Sequence, residues 1–217
     1  MLLEQNNTNP NAANKYGQTL LFGAAWKGHA GVVNMLLERV DVDPNTPDGN
    51  GETPLFRAAF EGHEGVVKIL LQRHNISPNT ANKHGLTPLF GAAWKGHEGV
   101  VRMLLERNNI NPNTANKYGL TPLFGAAWKG HEGVIRMLLG RVDVDPNTPD
   151  GNGETPLSVA AFEGHEGVVK ALLERVDVNS DTTDLAGNTA LSQALKRGHH
   201  AIVKLLSEHK FNSPVRW

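Results

Sequence analysis

The stretch of sequence that decides the fold is Gly51-Glu52-Thr53-Pro54-Leu55-Phe56-Arg57-Ala58-Ala59-Phe60-Glu61-Gly62-His63. Thr53 is a favourable helix N-cap, and Pro54 at the first helical position loses no hydrogen bond because its missing N–H would be unpaired there. Gly62 then ends the helix. The apolar face of this helix follows the i, i+3, i+4 spacing and holds Leu55, Ala58 and Ala59.

The residues after this stretch predict a second helix from about Glu64 to Arg73. Its apolar side chains are Val66, Val67, Ile69, Leu70 and Leu71. From Asn75 to His84 the chain is rich in Pro, Asn and Thr, which predicts a turn or an irregular hairpin. A helix pair this thin cannot bury its apolar face alone, so it must stack on copies of itself.

Such copies are present, because the segment Gly-x-Thr-(Pro)-Leu recurs along the chain at equal steps. Its first residues are Gly17, Gly51, Gly85, Gly119, Gly153 and Gly187. The constant spacing predicts one continuous domain built of repeats. Its parts are a half-repeat at 1–16, full repeats at 17–50, 51–84, 85–118, 119–152 and 153–186, and a C-terminal capping repeat with a short tail at 187–217.

The two ends of the chain differ. Residues 1–10 match the pattern of residues 103–112, so the chain starts inside the second helix of an earlier repeat. This end lacks the polar cap that repeat arrays need. We therefore expect either a piece of a longer array or a cover over Leu2 and Leu3. The last repeat is rich in Lys, Arg and His, which predicts a finished cap, and residues 211–217 are expected to be a natural C-terminus.

Composition excludes several functional classes. The formal net charge of −1 gives no basis for the phosphate attraction behind non-specific nucleic-acid binding. The sequence has no run of eighteen apolar residues, so no membrane span is predicted. Cysteine is absent, which excludes disulfides, Cys-based zinc sites and thiol catalysis. The sequence holds no Gly-rich phosphate loop, nucleophile elbow or metalloprotease helix. We expect no enzyme and no cofactor, and a cytoplasmic location.

The stretch from Thr53 to His63 resembles the ankyrin family, whose pattern is Thr-Pro-Leu-His-x-Ala-Ala-x-x-Gly-His. The match recurs along nearly the whole chain. It implies an all-α ankyrin-repeat solenoid of stacked helix-turn-helix units, joined by long loops or β-hairpins. The segments Gly-His-Glu-Gly-Val-Val and Asp-Val-Asp-Pro-Asn are also similar to the ankyrin arrays of fungal NOD-like receptor proteins. Residues 17–84 nearly repeat as 119–186, which fits either recent duplication or deliberate design.

Two departures from the family pattern concern the loops. The family's His after Thr-Pro-Leu is replaced by Phe22, Phe56, Phe90, Phe124 and Ser158. The glycine that ends the family's second helix is replaced by Val40, His74, Asn108, Val142 and Val176, of which only Asn108 favours a left-handed cap. The unit is also slightly longer than the family's unit of about 33 residues. We therefore expect the loops to depart from the standard ankyrin hairpin.

The resemblance also implies a protein-binding surface, because the family's variable positions can be placed on this sequence. They are Tyr16, Gln18, Trp26 and Lys27; Asn50, Glu52, Phe60 and Glu61; His84, Leu86, Trp94 and Lys95; Tyr118, Leu120, Trp128 and Lys129; and Asn152, Glu154, Phe162 and Glu163. We call the row of Trp26, Phe60, Trp94, Trp128 and Phe162 the aromatic ladder. Its rings either anchor a partner or pack between repeats, and both can hold at once.

The expected function is thus a non-catalytic interaction module that binds a protein on its concave surface, as a segment of a larger receptor or scaffold. Nucleic acid and membrane are not expected partners. The alternative is a structural spacer, or an array that self-associates through its N-terminal half-repeat.

Two further patterns suggest metal chemistry. Asp41, Asp43, Asn45 and Glu52 fall at positions 1, 3, 5 and 12 of a calcium loop, and Asp143, Asp145, Asn147 and Glu154 repeat the spacing. The glycine required at position 6 is Thr46 or Thr148, which argues against a specific calcium site. Six histidines also recur with the period of the repeat, and such a row cannot converge on one ion. A structural role closing the turn between helices is expected for His29, His63, His97, His131, His165 and His199.

Overall fold

The computed structural model describes residues 9–212, with side chains as far as Lys210. Within that range the chain forms twelve α-helices and no strand, so the predicted all-α class is confirmed. The helices are α1 Leu20–Trp26, α2 Ala30–Leu37, α3 Pro54–Glu61, α4 Glu64–Leu71, α5 Pro88–Lys95, α6 Glu98–Leu105, α7 Pro122–Lys129, α8 Glu132–Leu139, α9 Pro156–Glu163, α10 Glu166–Leu173, α11 Ala190–Arg197 and α12 His200–Asn212.

The chain divides into two compact units, Met1–Asn111 and Pro112–Trp217. In the first unit, α1, α3 and α5 pack side by side, and α2, α4 and α6 form a second layer. In the second unit, α7, α9 and α11 form one layer, and α8, α10 and α12 lie in the other. The predicted repeat boundaries and the single continuous domain stay predictions. Leu2, Leu3 and the residues beyond Asn212 lie outside the described part of the chain.

The ends of the helices follow the local signals of the sequence. The Thr53 hydroxyl accepts a hydrogen bond from the Phe56 N–H at 3.1 Å, and Pro54 occupies the first turn of α3. Gly62 ends α3 in the left-handed conformation, with φ at 80°. These three predictions are confirmed. The second helix stops at Leu71 rather than at Arg73, because Gln72 is its right-handed C-cap.

The core lies between the two helix layers of each unit. Leu55, Ala58 and Ala59 are fully buried, as their spacing predicted. The predicted apolar face of α4 is buried at Val66, Val67, Leu70 and Leu71, whereas Ile69 is only half-buried. The small alanines of α3 allow its neighbours α1 and α5 to approach closely. The first helix of one repeat therefore lies directly beside the first helix of the next.

A ladder of asparagines joins successive loops. The Asn147 amide donates to the Asp177 carbonyl at 2.7 Å, and its side-chain oxygen accepts from the Asn179 N–H at 2.8 Å. The same pair of bonds, with the same sequence offsets, is made in the first unit by Asn45. Each such asparagine satisfies one donor and one acceptor of the following loop, and it therefore fixes the spacing between adjacent loops.

Replacing Asn147 by alanine should lower the free energy of unfolding by about 1–2 kcal/mol, since two hydrogen bonds are lost from an accessible loop. The Asn147→Asp variant keeps the acceptor and loses the donor, so its loss should be about half as large. Urea unfolding followed by circular dichroism measures both. Equal stability of the wild type and the alanine variant would show that the ladder contributes nothing.

The loops do not use a left-handed residue at the end of the second helix. Among the described residues no residue other than glycine has a positive φ, so Asn108 does not act as a left-handed cap. The corresponding valines point into solvent, with Val40, Val142 and Val176 about as accessible as in an extended chain. The left-handed position lies instead at the glycine of Gly-x-Thr. A Cβ on Gly51, whose φ is 77°, would lie only 3.1 Å from the Lys83 nitrogen.

Candidate functional site

Histidines fix the position of the aromatic ladder. The His63 Nε2–H donates to the Trp26 carbonyl at 2.9 Å, and His97 makes the same bond to the Phe60 carbonyl at 3.1 Å. His165 and His199 do so in the second unit, to Trp128 and Phe162 at 3.0 Å each. The structural role predicted for these four histidines is confirmed. The backbone N–H of each closes the turn within its own repeat, as from His63 to the Ala58 carbonyl at 2.9 Å, while its imidazole joins that repeat to the preceding one.

Each ladder ring lies beside an aromatic ring of its own helix where one is present. The centroids of Phe22 and Trp26 are 6.4 Å apart, and those of Phe124 and Trp128 are 6.1 Å apart, both edge to face. Phe56 and Phe60 stack at 6.0 Å. Four ladder residues are half-buried, and Trp128 is 37% exposed. The rings are therefore packed on one side and accessible on the other.

An arginine completes this surface in the first unit. The Arg57 guanidinium lies 5.1 Å from the centroid of Trp26 and 5.7 Å from that of Phe60. It also pairs with the carboxylates of Glu52 and Glu61. We call Trp26, Phe60, Glu52 and Glu61 around Arg57 the arginine cage. Its carboxylates and rings hold one cation between two charges and two π faces.

The second unit holds the same four cage residues but not the arginine. Glu154, Glu163, Trp128 and Phe162 occupy the matching sequence positions, and Val159 replaces Arg57. Burial first, and then the charges of Asp150, Asp184 and Glu163, raise the pKa of Glu154 above its ordinary value. In the second unit, therefore, Glu154 and Glu163 have no counterpart of Arg57, which pairs with both glutamates in the first unit.

The other predicted binding residues mostly lie on the accessible side of the loops and first helices. Leu120 is buried, and the remaining positions are half-buried or exposed. The half-buried positions are Gln18, Trp26, Glu52, Phe60, Leu86, Trp94, Glu154 and Phe162. The exposed positions are Tyr16, Lys27, Asn50, Glu61, His84, Lys95, Tyr118, Trp128, Lys129, Asn152 and Glu163. The structure brings Trp26, Glu52, Phe60 and Glu61 together around one residue.

That residue, Arg57, was not among the predicted site residues. Its position in the family pattern gives no signal, because it precedes the two core alanines rather than following them. A signal did exist in the comparison of residues 17–84 with 119–186. Arg57 is replaced by Val159 although the residues at 58–68 are identical to those at 160–170, and the four surrounding cage residues are the same types in both.

The suggested calcium residues make hydrogen bonds within and between the loops. Asp41 pairs with Arg39 at 2.8 Å, and this hydrogen bond lowers the pKa of Asp41. Asp43 accepts hydrogen bonds from the Asn45 N–H and the Thr46 hydroxyl. Over residues 9–212, no three His, Asp or Glu side chains converge in a geometry suited to a metal ion.

The stability of the protein should respond differently to removal of the charge at Glu52 and at Glu154. Glu52→Gln should lower the free energy of unfolding by about 1–2 kcal/mol, because it weakens a charged hydrogen bond to the partly buried Arg57. Glu154→Gln should have no cost or stabilise slightly, because the raised pKa of Glu154 shows that its charged form is disfavoured in the folded state.

Urea unfolding of both variants near neutral pH tests this contrast. As the pH falls through the pKa of Glu154, the wild type loses the disfavoured charge, so any advantage of Glu154→Gln should shrink. Equal losses in the two variants would contradict the difference between the two units.

Comparisons with known proteins agree with the repeat pattern. A family model for ankyrin repeats in three copies matches residues 40–116, 75–150 and 142–215, and one for many copies matches residues 2–58. The crystal structure of EF0377, an ankyrin repeat protein, is similar to 87% of this chain over 96% of its own length, with 27% identity and a TM-score of 0.81. No functionally curated protein matches the sequence. The chain, with its stacked helix pairs and 34-residue period, belongs to the ankyrin-repeat family.

Proposed function

We propose that the chain is a protein-binding module whose partner docks on the aromatic ladder and the neighbouring loop tips. Ankyrin repeats form a generic protein-protein interaction fold. The observation that supports this surface is the exposure of large aromatic side chains on it, with Tyr118 66% and Trp128 37% accessible. Exposed Tyr and Trp side chains beside charged groups are typical of residues that contribute most of an interface's binding energy.

The test compares proteins captured by three full-length baits. They are the wild type, a Trp26, Trp94 and Trp128→Ala variant, and a Val40, Val142 and Val176→Ala variant as the matched control. The valines are exposed and apolar but lie away from the ladder. Circular dichroism first establishes that each bait is folded. A protein held by the wild type and the valine variant but lost from the tryptophan variant supports the proposal. Identical capture by all three baits contradicts it.

A second candidate function is self-association through the N-terminal face of the first unit. A groove of about 460 Å³ lies there, lined in part by Leu20, Gly23 and Val32. Val32 is 39% exposed, whereas the matching Val66 is only 1% exposed. Leu20 and Met35 are more than half exposed on the same helix pair. An apolar face of this kind would be buried by stacking on another repeat.

Light scattering across a range of concentrations tests self-association. If this face mediates it, the wild type forms a dimer or larger assembly, and the Val32→Lys, Met35→Lys variant is monomeric. A wild type that stays monomeric at every concentration excludes this candidate.

The likeness to fungal NOD-like receptor arrays suggests which larger protein this module would belong to. In such a protein it would work beside a receptor ATPase in the cytoplasm. No helix in residues 9–212 is both long and apolar enough to cross a membrane.

A further inference from the structure

The first unit shows how this surface holds a guanidinium group. The Arg57 nitrogens reach two carboxylates, with Nη1 3.4 Å from Glu61 and Nη2 bonded to Glu52. Its side chain is only 19% exposed, and the guanidinium carbon lies 5.1 Å from the ring centroid of Trp26 and 5.7 Å from that of Phe60. A second cation, Lys95, lies 4.7 Å from the centroid of Phe60. The cage therefore accommodates a planar cation between two successive repeats.

The second unit has the same four residue types at the matching positions, with a shorter side chain in place of Arg57. The bond from His165 to Trp128 matches the one from His63 to Trp26, so the two repeats have the same register in both units. Arg197 lies 4.0 Å from the centroid of Phe162, as Lys95 lies against Phe60. Val159, which is buried, replaces the stem of Arg57 and ends before the place of the guanidinium.

The acidic residues of this second cage differ from those of the first in their ion pairs. Neither Glu154 nor Glu163 takes part in an ion pair with any side chain that the structure describes, whereas Glu52 and Glu61 both pair with Arg57. Burial first, and then the charges of Asp150, Asp184 and Glu163, raise the pKa of Glu154, which agrees with this difference. Lys129 follows Trp128 just as Lys27 follows Trp26, so it does not account for the difference between the units.

We propose that the second unit recognises an arginine side chain of a protein partner, which occupies between Trp128, Glu154, Phe162 and Glu163 the place that Arg57 occupies in the first unit. This inference rests on the proposed protein-binding function and adds which side chain of the partner the surface recognises. The more accessible ring of Trp128 leaves a path to the site, and the charge of the partner's side chain complements the two glutamates.

Arginine fits this site better than lysine for geometric reasons. In the first unit two different nitrogens of one guanidinium reach two carboxylates while its central carbon lies over two aromatic rings. An ammonium is a compact point charge and cannot span both carboxylates in this way. A partner segment with an exposed arginine is therefore the expected ligand, and a lysine in its place should bind more weakly.

The test uses the full-length, ¹⁵N-labelled chain and two short probes, Ac-Gly-Arg-Gly-NH₂ and its neutral citrulline counterpart. The indole N–H signals of the tryptophans, assigned with single Trp→Phe variants, report binding at each ring. We expect the Trp128 signal to shift saturably with the arginine peptide, with a dissociation constant of about 1 mM. The citrulline peptide should bind at least about tenfold more weakly.

Three variants make the test specific. Val159→Arg places the arginine in the chain itself and should abolish the response of Trp128. Arg57→Val vacates the first cage and should create a new response at Trp26. The Glu154→Gln, Glu163→Gln double variant should weaken binding of the arginine peptide at Trp128 at least about tenfold. This double variant replaces Val159→Arg in the test if Val159→Arg does not fold. A Trp128 signal that ignores the arginine peptide, or that responds equally to citrulline, overturns the inference.

The same variants separate this inference from the proposed function. If a captured partner depends on Trp128 but binds Val159→Arg as tightly as the wild type, the chain binds protein without using an arginine at this site. If Trp128 responds to the peptide as expected while the wild type captures no partner, the arginine site stands and the partner-binding function fails.

Discussion

Replacing Phe124 by alanine should lower the free energy of unfolding by about 3–5 kcal/mol, because the variant removes a fully buried ring and leaves a cavity. Phe124 lies in the first turn of α7 and makes edge-to-face contact with the ladder residue Trp128. Urea unfolding monitored by tryptophan fluorescence and by circular dichroism measures the loss. The near-ultraviolet signal of Trp128 should also change in the folded variant, since its ring loses a neighbour.

The Phe124→Leu variant is the matched control. It keeps most of the apolar volume, so its loss should be about 1–2 kcal/mol. The repeat that contains Ser158 shows that this position does not require an aromatic ring in every repeat. The large loss expected for Phe124→Ala therefore comes from the packing of the Phe124 ring. Ser158 occupies the matching site, and its hydroxyl accepts from the Thr155 N–H at 2.8 Å as part of a capping box. If alanine and leucine cost the same at position 124, the ring is not what stabilises this repeat.

The helices and the core were predictable because their causes are local in sequence. Thr53, Pro54 and Gly62 act on the backbone beside them. Every copy of the repeat carries the threonine and the glycine, and only Leu20 and Ala190 replace the proline. The end of the second helix was harder to place. Leu71 is followed by Gln72 and Arg73, which helices accept readily, and no glycine marks the stop, so the prediction extended α4 by two residues.

The candidate site was predictable in its positions but not in its contacts. Trp26, Glu52 and Glu61 were placed on the binding surface by the family pattern, yet their common partner Arg57 was missed. The contact between Trp26 and Arg57 depends on the register between two repeats. The bond from His63 to the Trp26 carbonyl maintains that register, and no pattern within one repeat reveals it.

A methyl group on Gly164 should disturb this register more than any substitution on the outer loops. Gly164 caps α9 with φ at 85°, and a Cβ there would lie 2.7 Å from Cε1 of His199. Gly164→Ala therefore combines the cost of a left-handed alanine, about 1–2 kcal/mol, with the loss of the bond from His199 to the Phe162 carbonyl. We expect a total loss of about 2–4 kcal/mol in urea unfolding.

Gly198 provides the matched control, because it caps α11 with φ at 74° and a Cβ there would meet nothing within 4 Å. Gly198→Ala should cost only the conformational part, about 1–2 kcal/mol. A double-mutant cycle isolates the remainder: in a His199→Ala background, Gly164→Ala should cost no more than Gly198→Ala does. If the larger loss persists without the imidazole, then the glycine is required by the backbone alone, and the link between adjacent repeats does not depend on the fit of histidine against glycine.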